Sequence, residues 1–152
     1  MLPNLCDLPE PDRPNLIGPD MIGLDTNVLV RFLTHDDPVQ TPAAIKLMRS
    51  LSSASPGFVS LVVIAELSWV LKSLYNFERS EMELVLENLL RSDALLVERS
   101  EIVWQALRKF KTSNAGFSDC LVERSGHAAV CIYTATFDKR AVATGMRLLE
   151  DI

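Results

Sequence analysis

Short apolar runs at 21–25, 58–59, 94–97, 129–133 and 146–149 alternate with longer stretches of helical periodicity, and this alternation constrains the fold more than any other feature. A run too short for a helix yet apolar at successive positions suits a strand covered on both faces, and strands joined through helices return parallel. The expected architecture is an α/β domain, a central, mostly parallel five-stranded sheet flanked by helices. Ligands of such sheets gather at the carboxyl edge of the strands, so the residues directly after each run are where chemistry is expected.

Compact order is expected to begin near Met21. Residues 1–20 hold Pro3, Pro9, Pro11, Pro14 and Pro19 with acids between them and no apolar periodicity, so they read as an irregular, proline-rich N-terminal extension ahead of a domain over 21–150. Met21 heads the first strand and is a candidate physiological start. Asp37 and Pro38 supply a cap and first turn for a helix carrying Ala43, Ala44, Leu47 and Met48. Pro56 and Gly57 turn the chain into the strand at Phe58 and Val59, and Ser60 caps a central helix from Leu61 to Tyr75, apolar on nearly every face. Ser80 and Glu83 have capping-box spacing ahead of the next helix. Ile102, Val103, Ala106, Leu107 and Phe110 form a further helical stripe. Phe117 to Arg124 reads as a helix ending around Gly126, and Ala129 to Tyr133 as a strongly buried strand.

A chain of 152 residues, 48% of them hydrophobic, has the length of one domain with a substantial core. Its formal net charge of -5 argues against nucleic-acid binding through a broad basic face. That charge is compatible with a nuclease whose acidic site attracts phosphate only once a metal is loaded. Cys6, Cys120 and Cys131 lack C-x-x-C spacing and are odd in number, which fits a reduced cytoplasmic compartment. No apolar run approaches the roughly 18–20 residues of a membrane span.

Four acids stand beside elements otherwise written for a core. Asp25 closes the first strand, followed by Thr26 and Asn27, and reads equally as a helix cap or as a site residue. Glu66 follows Val62, Val63, Ile64 and Ala65; within such cover a carboxylate needs a cation, whereas on a wet helix edge it needs none. Asp119 falls in the first turn of a helix, where the positive helix end alone accounts for an acid. Asp138 follows the 129–133 run after a short connection containing Thr136, with Lys139 and Arg140 next to it. Should the four converge, they form an oxygen-only site suited to magnesium or manganese against a phosphodiester. Glu123, one turn beyond Asp119, is expected to be solvent-exposed.

The segments Met21-Ile22-Gly23-Leu24-Asp25-Thr26-Asn27-Val28-Leu29, Ala65-Glu66-Leu67, Phe117-Ser118-Asp119-Cys120-Leu121 and Thr136-Phe137-Asp138-Lys139-Arg140, in that order and spacing, resemble the PIN-domain family, particularly the toxin ribonucleases of VapBC-type toxin-antitoxin systems. The resemblance covers almost all of 21–150. It implies a PIN-like three-layer sandwich and a metal-dependent endoribonuclease. It places Asp25, Glu66, Asp119 and Asp138 as metal-binding acids, with Asn27 and Thr136 as polar supporters and Mg2+ or Mn2+ as cofactor. It further implies an RNA substrate, a cognate antitoxin and a homodimer or toxin-antitoxin hetero-oligomer. Ser118 stands where the family often has a smaller residue, and the extension 1–20 departs from the usual compact toxin. Trp69, Tyr75 and Trp104 are candidate antitoxin contacts; Arg31, Lys72, Lys109, Lys111, Lys139 and Arg140 are candidate phosphate clamps. An RNA-processing nuclease and a noncatalytic interaction domain are the alternative readings.

Overall fold

The computed structural model describes residues 20–151, so the expected extension over 1–20 lies, apart from Asp20, outside the described residues. The elements run β1 (Ile22–Gly23), α1 (Thr26–Thr34), α2 (Gln40–Ser50), β2 (Gly57–Val59), α3 (Leu61–Tyr75), α4 (Arg79–Arg91), β3 (Leu95–Val97), α5 (Ser100–Thr112), α6 (Phe117–Ala128), β4 (Ala135–Thr136) and β5 (Arg147–Leu148). A 3-10 segment, Lys139–Thr144, lies between β4 and β5. The α/β alternation holds, with all observed strand pairs parallel. The continuous five-stranded sheet does not: the strands form one sheet ordered β1-β2-β3 and a separate pair, β4-β5.

β2 is central, and its Gly57 is closely covered: a Cβ there would stand 2.7 Å from Leu24 Cδ1 and 2.9 Å from Leu51 Cδ1, so both leucines would have to shift to admit one. Ser60 Oγ accepts the Val63 N–H at 3.2 Å, as its cap position predicts, and Glu98 Oε1 accepts the Leu61 N–H at 2.8 Å. Two of the four orphan donors at the start of α3 are thus satisfied, one from the residue that follows β3. Ile64, Leu67 and Leu71 on α3 are buried against Leu29, Leu86, Val103 and Leu107. The opposite face of α3 is not apolar cover, since Val62, Glu66, Trp69 and Lys72 are exposed.

Capping departs from expectation twice. Glu81 Oε1 accepts the Glu78 N–H at 3.1 Å, so the capping box of α4 lies two residues before Ser80 and Glu83. Asp37 Oδ1 does accept two N–H groups, from Val39 and Gln40, but α2 begins at Gln40 and leaves Pro38 outside.

The largest correction concerns 129–133. α6 runs past Gly126 to Ala128 and closes as a Schellman motif, with Val130 N–H donating to His127 O and Cys131 N–H to Gly126 O. Val130 takes the left-handed position of that motif, φ 62°, where glycine is usual. Donors committed to the helix end cannot join a sheet ladder. Val130 and Ile132 accordingly lie 88% and 96% exposed, and the strand forms later, at β4.

Candidate active site

β1 ends where Leu24 N–H donates to Phe58 O at 2.9 Å, and the next residue, Asp25, opens α1. Asp25 occupies the cap position, yet its carboxylate makes no capping hydrogen bond. Ser60 and Asp138, by contrast, do cap with their side chains. The helix-cap account of this acid therefore fails. Thr26, buried, donates from Oγ1 to Glu66 Oε2 at 2.6 Å and fixes a carboxylate forty residues away in the chain. Asp25, Thr26, Asn27, Ala65, Glu66, Trp69 and Val70 line one cleft. Glu66 is held by a hydroxyl on an exposed helix face and not by desolvation.

Asp119 lines a neighbouring cleft with Ser68, Lys72, Arg79 and Ser118; Trp69 lines both. Its placement rests on two devices. Ser118 Oγ meets the buried Ser68 Oγ at 3.2 Å, fastening α6 to α3. The Arg79 guanidinium donates to the carbonyls of Phe110, Ser113 and Ala115 while lying 3.9 Å over the Phe110 ring, which holds the loop ahead of α6. Charge-assisted bonds to carbonyls at the end of α5 satisfy acceptors a helix cannot satisfy itself. Nothing in residue type or spacing marked Arg79, because its partners are backbone atoms.

Asp138 stands apart. Its carboxylate accepts the Arg140 N–H at 2.9 Å, Thr136 Oγ1 accepts the Asp138 N–H at 3.0 Å, and the two make a local turn. Neither lines the clefts of Asp25 and Asp119. Glu123 is also not where expected: its side chain is only 12% exposed, between Lys109 Nζ at 2.8 Å and Arg124 Nε at 2.6 Å. The Arg124 bonds hold its carboxyl well down, at about 2, assisted by Lys109. Lys109 further donates to Thr144 O, tying α5 and α6 to the 3-10 segment.

Ion pairing sorts the candidate phosphate clamps. Arg31 is engaged by Asp36, Gln40 and Tyr75, Lys109 by Glu123, and Lys111 by Glu87. Tyr75 Oη donates to Asp36 at 2.6 Å and is the main reason that carboxyl is lowered to about 2. Arg140 lies 3.9 Å from Asp138. Lys72 and Lys139 have no ion pair among the described residues.

Two carboxylates and an amide in one cleft are hard oxygen donors, and magnesium is commonly held by one or two carboxylates with water and substrate phosphate completing its shell. The Asp25–Glu66 cleft fits that chemistry. Among the described residues, no three His, Cys, Asp or Glu side chains group closely enough to hold an ion by themselves.

The parallel strands deliver Asp25 to their carboxyl edge, in one cleft with Glu66 of the central helix. The chain belongs to the PIN domain family, which it matches over residues 22–145. PIN domains are in general nucleases that use divalent metals. No curated protein matches the chain. Among the described residues no helix is long and apolar enough to cross a membrane.

Proposed function

We propose that the protein is a metal-dependent endoribonuclease using Mg2+ or Mn2+, the growth-inhibiting toxin of a VapBC-type pair, acting in the cytoplasm. The observation that carries this reading is the pairing of an uncapped Asp25 with a Thr26-anchored Glu66 in one cleft. Asp25 and Glu66 would hold the ion, Asp119 would approach from the adjoining cleft, and Asp138 would act from the 3-10 segment. When bound, the ion lowers the pKa of attacking water and neutralises charge on the phosphate. Thr26 keeps one Glu66 oxygen occupied and orients the other, the Asn27 amide orients a water, and Thr136 steadies the turn of Asp138. A cognate antitoxin and a homodimeric or toxin-antitoxin assembly complete the proposal.

One observation favours the noncatalytic interaction domain, namely that Asp138 is spent as a cap. The two readings separate on one measurement. Asp25→Asn and Asp119→Asn are each expected to lower magnesium- or manganese-dependent cleavage of a cellular RNA pool by at least about a hundredfold, with the circular dichroism spectrum retained. Cleavage at the wild-type rate by either variant removes that acid from the site; no cleavage by the wild-type protein in either metal favours the interaction domain.

A further inference from the structure

Trp69 is the side chain shared by the two acid-bearing clefts, and it is 59% exposed. The chain's other tryptophan, Trp104, is half-buried with the Arg91 guanidinium 5.3 Å from its ring centroid. An indole left open costs hydrophobic stabilisation unless something covers it. On α3 the order Glu66, Trp69, Lys72 advances by about 4.5 Å per step along the axis, with Trp69 between the other two around it. One flank of the indole thus carries the acid tied to Thr26, the other a lysine with no ion pair among the described residues.

An aromatic face bordered by a free ammonium suits a nucleotide, because every base has a π-face to stack and a phosphate to neutralise. We propose that Trp69 stacks one unpaired base of single-stranded RNA, with Lys72 on a phosphate of that strand. This places the cut beside an unstacked nucleotide and excludes uninterrupted duplex as substrate. The inference rests on the ribonuclease reading only for where the cut falls; the stacking site itself does not need cleavage. A polynucleotide offers the indole a base and the Lys72 ammonium a phosphate in one ligand, with Glu66, Glu78 and Asp119 confining the phosphate to the lysine side of the ring; a protein surface over the same indole is the competing outcome of the test.

The test is binding of a short single-stranded RNA with calcium in place of magnesium or manganese, read by fluorescence anisotropy and by quenching of tryptophan emission, alongside cleavage kinetics. Trp69→Ala is expected to weaken binding about ten- to hundredfold and to abolish the quenching, while Trp69→Phe keeps most of the affinity. In cleavage, Trp69→Ala raises KM more than it lowers kcat. An abasic substitution in the RNA, scanned along the strand, reproduces the loss at one position in wild-type protein and adds nothing in Trp69→Ala. Wild-type affinity in Trp69→Ala overturns the proposal. So does equal binding of duplex RNA, or loss of self-association in Trp69→Ala with RNA affinity intact, which assigns the indole to a protein interface. If Trp69-dependent binding persists without metal-dependent cleavage, the ribonuclease reading fails and the stacking site stands. Cleavage with unchanged KM in Trp69→Ala gives the reverse.

Discussion

Replacing Glu123 with glutamine removes the charge that holds Lys109 and Arg124 together, and its effect should depend on pH. The Glu123 carboxyl lies at about 2 in the folded protein against an ordinary 4.5, chiefly because Arg124 donates to it. A gap of that width is worth at most about 3.5 kcal/mol at ~1.4 kcal/mol per pH unit. Solvent reaches Lys109, whose side chain is 27% exposed, so about 2 kcal/mol is the working figure. A depressed folded-state pKa stabilises the protein above the unfolded pKa and ceases to do so as pH falls through the folded one. Urea unfolding followed by fluorescence should show Glu123→Gln less stable than wild type by about 2 kcal/mol at pH 7. The difference should shrink below about pH 4.5 and nearly vanish near pH 2. A difference that does not change with pH, or none at pH 7, refutes the account. Because Lys109 also holds Thr144 O, the segment after Asp138 should lose hydrogen-exchange protection in the variant.

Thr26→Val keeps the shape of a buried residue and removes the donor to Glu66 Oε2. Cleavage should fall about tenfold in kcat with KM little changed, since the hydrogen bond positions a site carboxylate and touches no substrate; an unchanged kcat refutes that role. Val130→Asn should stabilise the protein by about 1 kcal/mol in thermal or urea unfolding, because asparagine tolerates the left-handed backbone that valine resists and Val130 buries little. Destabilisation would mean instead that 129–133 forms the buried strand its composition predicts.

Where local signals had no competitor they were readable. Ser60 before an apolar run of fifteen residues specified both the cap and the length of α3, and the stripe Ile102, Val103, Ala106, Leu107 and Phe110 is buried as its period requires. The strand expected at 129–133 failed because apolar, β-branched composition says a segment can be buried in a sheet, not that donors are left to pair it; the end of α6 took those donors first. For Glu66 burial and a wet helix edge were both open, and it is exposed, since an apolar count over a helix does not say which face meets the core. Its importance survives for a different reason, the Thr26 hydroxyl. Glu123 was expected at the surface because Lys109, which buries it together with the adjacent Arg124, lies on a different helix fourteen residues away.

The sequence by itself determined the class of fold, the order of its strands and helices, and four acids whose order and spacing resemble a nuclease family. Those properties are set by periodicity, capping chemistry and spacing along the chain. Only the tertiary structure decided which acid is free and which is used as a cap, because that depends on the donors each carboxylate meets: Asp25 meets none at its helix end, Asp138 meets the Arg140 N–H, and Glu66 meets Thr26. It alone put Trp69 between two clefts and left Lys72 without an ion pair. Such proximity across chain-distant segments arises from packing, which no local pattern encodes.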